Sequence, residues 1–260
     1  MANRNGLKWT REETILAFEL YCRTPFGKIH HSNPDIIDLS KLLGRTADSV
    51  ALKMQNLAHY DPELRARNVS ALAHGSKLDP EIFEEFYMNL EELTFVAASI
   101  RAEMAGGPMD IQSIIRDLAQ LPPGEYSEQI VKTRLGQQYF RTAVLNSYGN
   151  RCCVTGLSVP DLLIASHIKP WADSDIRTER TNPCNGLCLN PFHDRAFDQG
   201  YITIDNKFTI IASRKLKDSG MDETTQDWFM SYVGKQIILP DKFIPGKEFI
   251  EYHNDVIFKG

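Results

Sequence analysis

The chain has 260 residues, of which 42% are hydrophobic and 24% are charged, and its formal net charge is -5. This balance is ordinary for a globular protein of one large or two modest domains. It argues against indiscriminate coating of nucleic acid but permits a local basic groove. The apolar runs are too short to span a membrane, residues 1–10 lack the apolar core of a signal peptide, and the five cysteines do not form a disulfide framework. We therefore expect a reduced, cytoplasmic protein with no membrane partner.

The first sixty residues predict three short helices. Thr10 and Glu13 form a capping box at the start of the first helix. Asn33-Pro34 supplies the N-cap and first residue of the second. Gly44-Arg45 then makes a tight turn, and Thr46 caps the third helix. Two helices joined in this way form a helix-turn-helix arrangement, so we expect an all-helical N-terminal bundle.

A polar connection is predicted over residues 61–78, followed by one helix from Asp79-Pro80 to about Ala105. A short helix is predicted from Ile111 to Leu121. Glycine and proline are concentrated around residues 106–108 and 121–125, which indicates a linker. We therefore place a helical domain at residues 1–105, a linker at 106–125 and a second domain at 126–260.

The second domain mixes helices and strands. A helix is predicted from Gln129 to Tyr148. The last forty residues of the chain are predicted to be extended and to wrap around the core of this domain. The strand and helix candidates between them are Cys152–Thr155, Leu162–His167, Leu187–Leu189, a helix from Pro191 through Phe197, and a hairpin of Tyr201–Ile204 with Phe208–Ala212. Two strands and a helix around residues 162–197 make a ββα unit, so the fold class of the whole chain is α+β.

His167 and Asn185 are the first candidates for chemistry. His167 ends a predicted strand, where a rigid backbone would aim its ring, and a neutral imidazole with a pKa of about 6.5 suits proton abstraction from water. A structural hydrogen-bonding role is the alternative for this histidine taken alone. Asn185 precedes Gly186 in a turn, and we expect its amide to bridge the loop that carries His167 and to fix the tautomer of the ring.

Asp194 and Asp198 are candidates for metal ligands. They are four residues apart on a predicted helix, so both carboxylates lie on one face and can share a cation, and the adjacent His193 is a further candidate. Oxygen ligands with at most one nitrogen favour Mg²⁺ or Mn²⁺ over a closed zinc site. A solvated acidic helix face is the alternative.

The cysteines do not predict a structural zinc site. Residues 152 and 153 are adjacent, and Cys184 and Cys188 are separated by three residues, so the chain lacks two Cys-x-x-Cys pairs. We expect buried free thiols instead.

Residues 130–258 resemble the restriction-type branch of the HNH endonucleases, which have a ββα-metal fold. The resemblance is carried by Arg134, Gln137-Gln138-Tyr139-Phe140-Arg141, Tyr148, Arg151-Cys152, Thr155-Gly156, His167-Ile168-Lys169-Pro170-Trp171, Asn185-Gly186-Leu187, Phe197-Asp198 and Tyr252-His253. It implies His167 as general base, Asn185 as its orienter and the His193-Asp194 step as the third position. His193 is thereby both a catalytic and a metal-ligand candidate. Ser166 departs from the family pattern, in which Asp or His often precedes the base as a ligand, so we expect a sparser metal shell.

Residues 8–60 are similar to Myb/SANT-like DNA-binding domains, through Trp9, Glu12, Tyr21, Leu43-Gly44-Arg45-Thr46 and Ser49-Val50. This similarity implies that the helix from Thr46 enters the major groove of DNA. Its candidate DNA contacts are Arg45, Lys53, Gln55 and Asn56. Lys169 and Arg195 are candidate phosphate contacts near the ββα unit. A bundle that packs on a protein partner is the alternative for the N-terminal domain.

Together these resemblances imply a restriction or defence endonuclease that cuts double-stranded DNA with Mg²⁺ or Mn²⁺ and leaves 5′-phosphate and 3′-hydroxyl ends. The alternative is a regulatory DNA-binding protein whose HNH fold has weak or no activity, which Ser166 favours. A homodimer is an open expectation, because cutting both strands usually takes two active sites.

Overall fold

A computed structural model describes residues 4–66, 75–110 and 128–260. The chain divides into two compact units, Met1–Tyr139 (unit 1) and Phe140–Gly260 (unit 2). The predicted helix Ile111–Leu121 and most of the predicted linker lie outside the described residues. Within the described ranges, no helix combines the length and the apolar character needed to cross a lipid bilayer.

Unit 1 is built from helices. Those in the described ranges are α1 (Arg11–Cys22), α2 (Pro34–Leu43), α3 (Ala47–Ala58), α4 (Pro62–Ala66), α5 (Leu78–Phe86), α6 (Leu90–Met104) and the first part of α7 (Glu128–Ser147). Helix α1 lies at the centre and packs against α2, α3, α5 and α6. Its Leu16 and Phe18 are fully buried, as is Met54 of α3. Burial of these apolar side chains is the main force holding the helices together.

The first three helices begin where the capping residues predict. The Thr10 hydroxyl accepts a hydrogen bond from the Glu13 backbone N–H, and the Glu13 carboxylate accepts one from the Thr10 N–H. The Asn33 side chain caps α2. Gly44 ends that helix at a positive φ of 64°, which favours glycine, and Thr46 caps α3. These local predictions are confirmed.

The predicted single helix over residues 79–105 is wrong, because the structure contains two. Helix α5 ends at Phe86 and α6 begins at Leu90. Asn89 between them has φ -146° and ψ 60°, outside helical geometry, and its N–H donates to the Phe86 carbonyl. The apolar periodicity continues across this break, so it did not reveal the turn. Helix α4 also lies in the stretch predicted as a polar connection.

Unit 2 contains the second part of α7, two small antiparallel sheets and several short helices. The named elements are β1 (Ile164–His167), β2 (Gly186–Leu189), α8 (Pro191–Asp198), β3 (Ile202–Ile204), β4 (Ile210–Ala212), α9 (Arg214–Lys217), α10 (Glu223–Met230) and α11 (Lys247–Tyr252). A π-helical turn, His253–Ile257, follows α11. Strand β1 pairs with β2, and β3 pairs with β4. The predicted ββα unit and the hairpin are both present.

Two predictions for unit 2 are wrong. Cys152–Thr155 forms a turn, closed by the Gly156 N–H donating to the Cys152 carbonyl, with Gly156 at a positive φ of 73°. The C-terminal forty residues are also not extended throughout, since they contain helical segments such as α10 and α11. Phe249 of α11 is buried in the core of unit 2, which explains why this segment folds as a helix against it.

The antiparallel pair of strands β1 and β2, together with α8, positions the polar residues of the candidate site. His167 pairs with Gly186 at one end of the hairpin. A side chain in place of the Gly186 hydrogen would collide with Val144 and Phe140, so glycine is required for the strand to pack this closely on α7. Phe197 buries the inner side of α8 in the same core as Phe140 and Leu187. With this side anchored, other positions of α8 face a cleft beside β1.

Candidate active site

An open cleft of about 440 Å³ lies between β1 and α8 of unit 2. Its polar lining residues include Ser166, His167, Asp194, Asp198 and His253. The cleft therefore brings together the predicted base and two predicted metal ligands from different parts of the sequence. It does not include Asn185 or His193.

His167 is held in one orientation by its surroundings. Its Nε2 lies 2.9 Å from the backbone carbonyl oxygen of Arg180, which is an acceptor only, so Nε2 carries the proton in the neutral ring. The ring stacks on Phe140 with centroids 3.8 Å apart, and Trp171 contacts it edge-on at 5.5 Å. No hydrogen bond from the described residues reaches Nδ1. Nδ1 is therefore the basic atom of the ring.

Burial lowers the pKa of His167 below its ordinary value of 6.5, and the hydrogen bond to the Arg180 carbonyl opposes this shift. Burial has the larger effect because removing the ring from water disfavours its charged form. A lowered pKa keeps the imidazole neutral near pH 7. In that state the ring is able to accept a proton.

Asn185 holds the loop after β1 instead of the histidine ring. Its side chain is fully buried, its Oδ1 accepts from the Lys169 N–H at 2.8 Å, and its Nδ2 donates to the Lys169 carbonyl at 3.1 Å. Nδ2 also lies 3.2 Å from the Ser174 hydroxyl. The structure thus gives Asn185 the predicted bridging position. The prediction that Asn185 fixes the tautomer of His167 is wrong, because the Arg180 carbonyl makes the contact with the ring.

Asp194 and Asp198 lie one helical turn apart on α8. Partial burial in the cleft raises the pKa of Asp194, while the Ser166 hydroxyl and the charge of Arg195 oppose the shift. Partial burial and the neighbouring negative charge of Asp194 raise the pKa of Asp198 to about 6. The two carboxylates therefore repel one another in a partly desolvated place, which a bound cation would relieve.

The Ser166 hydroxyl lies buried at the base of these carboxylates. Ser166 is 3% exposed, and its oxygen has no protein hydrogen-bond partner by distance and angle, although it lowers the pKa of both aspartates. Buried polar groups are rarely left unsatisfied. A polar ligand in the cleft would provide the missing partner.

Asp194, Asp198 and Ser166 together fit a hard divalent cation. They provide oxygen donors, and Mg²⁺ is commonly held by one or two carboxylates with water and phosphate oxygens completing its coordination. Within the described ranges, no three or more His, Cys, Asp or Glu side chains converge as a metal-ligand cluster. The donor set is thus compatible with a cation that also binds substrate, and unlike a closed structural site.

The structure places His193 away from the cleft. The ring is 1% exposed, stacks on Phe229 at 5.2 Å and contacts Trp228, and its Nδ1 lies 3.1 Å from Asn190 Oδ1. Burial lowers its pKa to about 4. The structure thus places His193 in the core and outside the cleft, which corrects the catalytic and metal-binding roles predicted for it.

The positively charged candidates near the cleft differ in their surroundings. Lys169 Nζ forms a 2.6 Å ion pair with Glu179, so its charge is already partly neutralised. Arg195 is exposed on α8 and forms no ion pair with a described residue. Arg195 is consequently the better phosphate contact of the two.

Two predicted DNA contacts in unit 1 are buried instead. Arg45 forms an ion pair with Glu13 at 2.7 Å, and both side chains are 1% exposed. Lys53 forms an ion pair with Asp79 at 2.7 Å, with exposures of 4% and 0%. These side chains hold helices together and are not available to DNA, which corrects the prediction for both.

The other two candidates remain near the surface. Gln55 is half-buried and its Nε2 lies 3.4 Å from the Ile29 carbonyl. Asn56 lines a groove of about 660 Å³ in unit 1. Other lining residues are Lys8, Trp9, Ser49, Lys53 and Lys77. Lys8 and Lys77 supply positive charge that the sequence prediction overlooked.

In unit 2, Cys152, Cys153 and Cys188 are buried free thiols, and Cys184 is half-buried. Burial raises the pKa of Cys153 well above its ordinary value and that of Cys188 to about 12. These thiols stay protonated and pack as small apolar groups.

Sequence reasoning missed two features of the site. The Arg180 carbonyl that orients His167 is a backbone group, so no side-chain pattern indicates it. His253 also lines the cleft, where its Nε2 donates to the Phe197 carbonyl at 3.1 Å and its Nδ1 lies 2.8 Å from the Thr203 hydroxyl. Tyr252-His253 belongs to the resemblance, but the pattern assigned it no role. The contacts show that His253 secures the last turn of α8, which carries Asp198.

Residues 152–205 match the family model described as HNH endonuclease. The matched region contains β1, β2 and α8, and thus His167, Asn185, Asp194 and Asp198. The match supports the HNH family for this region and suggests nuclease activity in general. Comparison with curated proteins gave no match.

Proposed function

We propose that the protein is a metal-dependent DNA endonuclease of the HNH type that acts in restriction or anti-phage defence. The observation that carries this proposal is the arrangement of His167 opposite Asp194 and Asp198 in one open cleft. A neutral base and a pair of oxygen ligands are the groups that hydrolysis of a phosphodiester requires. The HNH match over the same residues supports it.

In the proposed reaction, Nδ1 of His167 accepts a proton from a water molecule as the water oxygen bonds to phosphorus. The bond from phosphorus to the 3′-oxygen breaks, and that oxygen takes a proton from solvent. The products are 5′-phosphate and 3′-hydroxyl ends. The Arg180 carbonyl and the Phe140 ring hold the imidazole in one orientation and leave Nδ1 without a protein hydrogen bond, and the carbonyl stabilises the imidazolium that forms.

Asp194 and Asp198 would hold a divalent cation, with Mg²⁺ or Mn²⁺ favoured by their oxygen donors. The bound ion would supply Lewis-acid stabilisation of the charge on the phosphate and on the leaving oxygen. Arg195 adds a fixed positive charge on the same helix. Ser166 offers one buried hydroxyl in place of a charged ligand, so we expect weak metal affinity in the absence of DNA.

For unit 1 we propose duplex DNA recognition through the groove that contains Lys8, Asn56 and Lys77. Lys8 and Lys77 suit phosphate contacts, and the Asn56 amide in the same groove suits a base contact. Lys8→Glu with Lys77→Glu should weaken binding of the full chain to duplex DNA at least tenfold. Unchanged affinity would favour a protein partner for this unit. We further propose a homodimer, which sedimentation with and without DNA tests.

The decisive test of nuclease function is His167→Ala. Losing a general base typically slows a reaction 10²–10⁴-fold, so cleavage of plasmid and phage DNA with Mg²⁺ or Mn²⁺ should fall by about that factor. Binding of DNA should change less than about twofold. His31→Ala is a matched control, because this histidine is exposed in unit 1. Full cleavage by the His167→Ala protein, purified free of other nucleases, would disprove the assignment.

Ser166 supports one alternative function, an HNH fold that binds DNA without cutting it. In that case the wild-type protein would bind DNA, modified or unmodified, yet show no metal-dependent cleavage. Ser166→Asp would then supply the charged ligand that the family often has at this place. Cleavage by that variant alone would identify the natural protein as the inactive form.

A further inference from the structure

Helix α8 also borders a second cavity, which His167 does not line. An apolar groove of about 730 Å³ runs along it, separate in its lining from the cleft except for the shared Gln199. The main lining residues are Phe192, Arg195, Gln199, Tyr201, Leu216 and Phe229. The nuclease role proposed above does not use this groove.

Two aromatic side chains stand at this groove with unusual exposure. Phe192, in its lining, is 50% exposed, and the neighbouring Trp228 is 42% exposed. In the described parts of the chain, no other Phe, Tyr or Trp is exposed to this degree. Their rings contact each other with centroids 5.3 Å apart at 77°. Exposed contiguous aromatic surface commonly marks a binding site.

The exposed aromatic pair packs against buried aromatic rings. His193 stacks on Phe229 at 5.2 Å and contacts Trp228 at 5.3 Å and Tyr232 at 5.4 Å. His193 and Phe229 are both buried. Packing on these buried rings restricts the conformations open to the exposed pair, which would reduce the entropy lost on binding.

The groove has a positively charged side chain in its lining and a second one beside it. Arg195 is the one charged side chain in its lining, and Lys259 Nζ lies 4.7 Å from the centroid of the Tyr201 ring. Neither cation forms an ion pair with a described residue, and no carboxylate lines the groove. Aromatic faces combined with cations that form no close ion pair suit a nucleic-acid strand, whose bases stack and whose phosphates are negative.

We infer that this groove binds an unstacked base of the DNA strand being cut, close to the scissile phosphate. Gln199 borders both the groove and the cleft, and an α-helix is only about 10–12 Å across, so one strand can reach both sides of α8 within a few nucleotides. The inference rests on the proposed nuclease function. It predicts that the enzyme prefers DNA with unpaired or easily opened bases beside the cut.

Binding measurements without cleavage test this inference. Full-length His167→Ala protein in EDTA would be titrated against fluorescein-labelled single-stranded DNA, a duplex with a short mismatched bubble, and the fully paired duplex. Stacking contributes about 1–3 kcal/mol per base, and 1.4 kcal/mol is a tenfold change in affinity. Phe192→Ala and Trp228→Ala should therefore each weaken binding to the single strand and the bubble about tenfold. Binding to the paired duplex should change less than about twofold.

Matched variants guard against a general loss of structure. Leu162→Ala removes an exposed apolar side chain that is 48% exposed and outside the groove, and should leave all three affinities unchanged. Trp228→Phe keeps an aromatic face and should retain most of the binding. If either alanine variant unfolds, as judged by circular dichroism, photocrosslinking replaces it. A strand containing 5-iodouracil should crosslink to Phe192 or Trp228, and crosslinks confined to other residues would overturn the inference.

The possible failures can be told apart. Equal affinity of both alanine variants and the parent for every DNA would overturn the groove assignment, even if metal-dependent cleavage by the wild-type protein is intact. A change in sedimentation with no change in affinity would identify the groove as a contact between copies of this chain, which also overturns it. Absence of cleavage by the wild-type protein, with the binding preference present, would remove the nuclease proposal and leave the base-binding groove.

Discussion

Two groups of charged side chains, one in each unit, have contrasting surroundings. In unit 1, Arg45 and Lys53 are buried and each is paired with a buried carboxylate. In unit 2, Asp194 and Asp198 lie together in an open cleft and their pKa values are raised. Charges paired within the fold contribute to its architecture, whereas carboxylates that form no close ion pair can interact with a ligand. The comparison therefore distinguishes charges paired inside the fold from carboxylates open to a ligand, which residue type alone does not.

The largest effect that sharpens this comparison is expected at the carboxylates of α8. Asp194→Asn and Asp198→Asn should each lower metal-dependent cleavage about 100-fold or more, because each removes a charged oxygen ligand. Mn²⁺ binding, measured by calorimetry in the presence of uncleavable DNA, should weaken in parallel. His193→Phe provides the matched control on the same helix and should keep cleavage within about fivefold. A loss as large as that of Asp198→Asn would return His193 to the metal site.

A smaller effect, on stability instead of activity, is expected at the buried ion pairs of unit 1. Removing one partner of a buried pair leaves the other charge unpaired, which typically costs about 3–5 kcal/mol. Glu13→Gln and Lys53→Met should therefore lower the free energy of unfolding by that order in urea titrations. Lys41→Met removes an exposed pair with Asp38 and should change it by less than about 1 kcal/mol. Equal stability of the buried and exposed variants would break the comparison.

The smallest expected effect is on the pH dependence of stability in metal-free protein. The pKa of His193 is about 4 in the folded state and near 6.5 when unfolded, so between these values the unfolded chain binds more protons. The stability that neutral His193 contributes to the folded state is fully present above pH 6.5 and is lost as the pH falls towards 4. Asp198 acts in the opposite direction, because its folded pKa of about 6 exceeds its ordinary value of 3.8. The stability that protonated Asp198 contributes to the folded state is fully present below pH 3.8 and is lost as the pH rises through 6.

Variants at these two positions should change the pH profile in opposite directions. His193→Phe should make the loss of stability between pH 6.5 and 4 shallower. Asp198→Asn should make it steeper, because the opposing carboxyl group is gone. Chemical denaturation in EDTA at several pH values measures both. Parallel changes in the two variants would contradict the assignment of His193 to the core and Asp198 to the cleft.

Local features of the fold were predictable from the sequence where short-range chemistry decides them. Asn33 and Thr46 cap helices because their side chains accept from backbone N–H groups two or three residues onward. The break at Asn89 was not predictable from the apolar periodicity, which continues through it. The turn at Cys152–Thr155 was mistaken for a strand because a short apolar run suits either structure.

For the candidate site, the sequence identified more of the residues than of their contacts. His167, Asp194 and Asp198 were predicted and do line one cleft. His193, next to Asp194, was an equally good ligand by type. Packing against Phe229, thirty-six positions further along the chain, turns its ring into the core. A side chain's direction depends on such distant neighbours, so helical spacing favoured Asp194 with Asp198 but could not remove His193 as a candidate.

By itself, the sequence determined the helix caps, the ββα order and the kinds of side chain available for chemistry. These depend on residue type and on spacing within a few turns. Only the tertiary structure decided which charged side chains form buried ion pairs, which carbonyl orients His167, and which face of α8 lines the cleft. Arg45 meets Glu13 across 32 residues, and His167 meets the Arg180 carbonyl across 13. Burial and pairing arise from contacts between distant segments, and the folded chain alone brings those segments together.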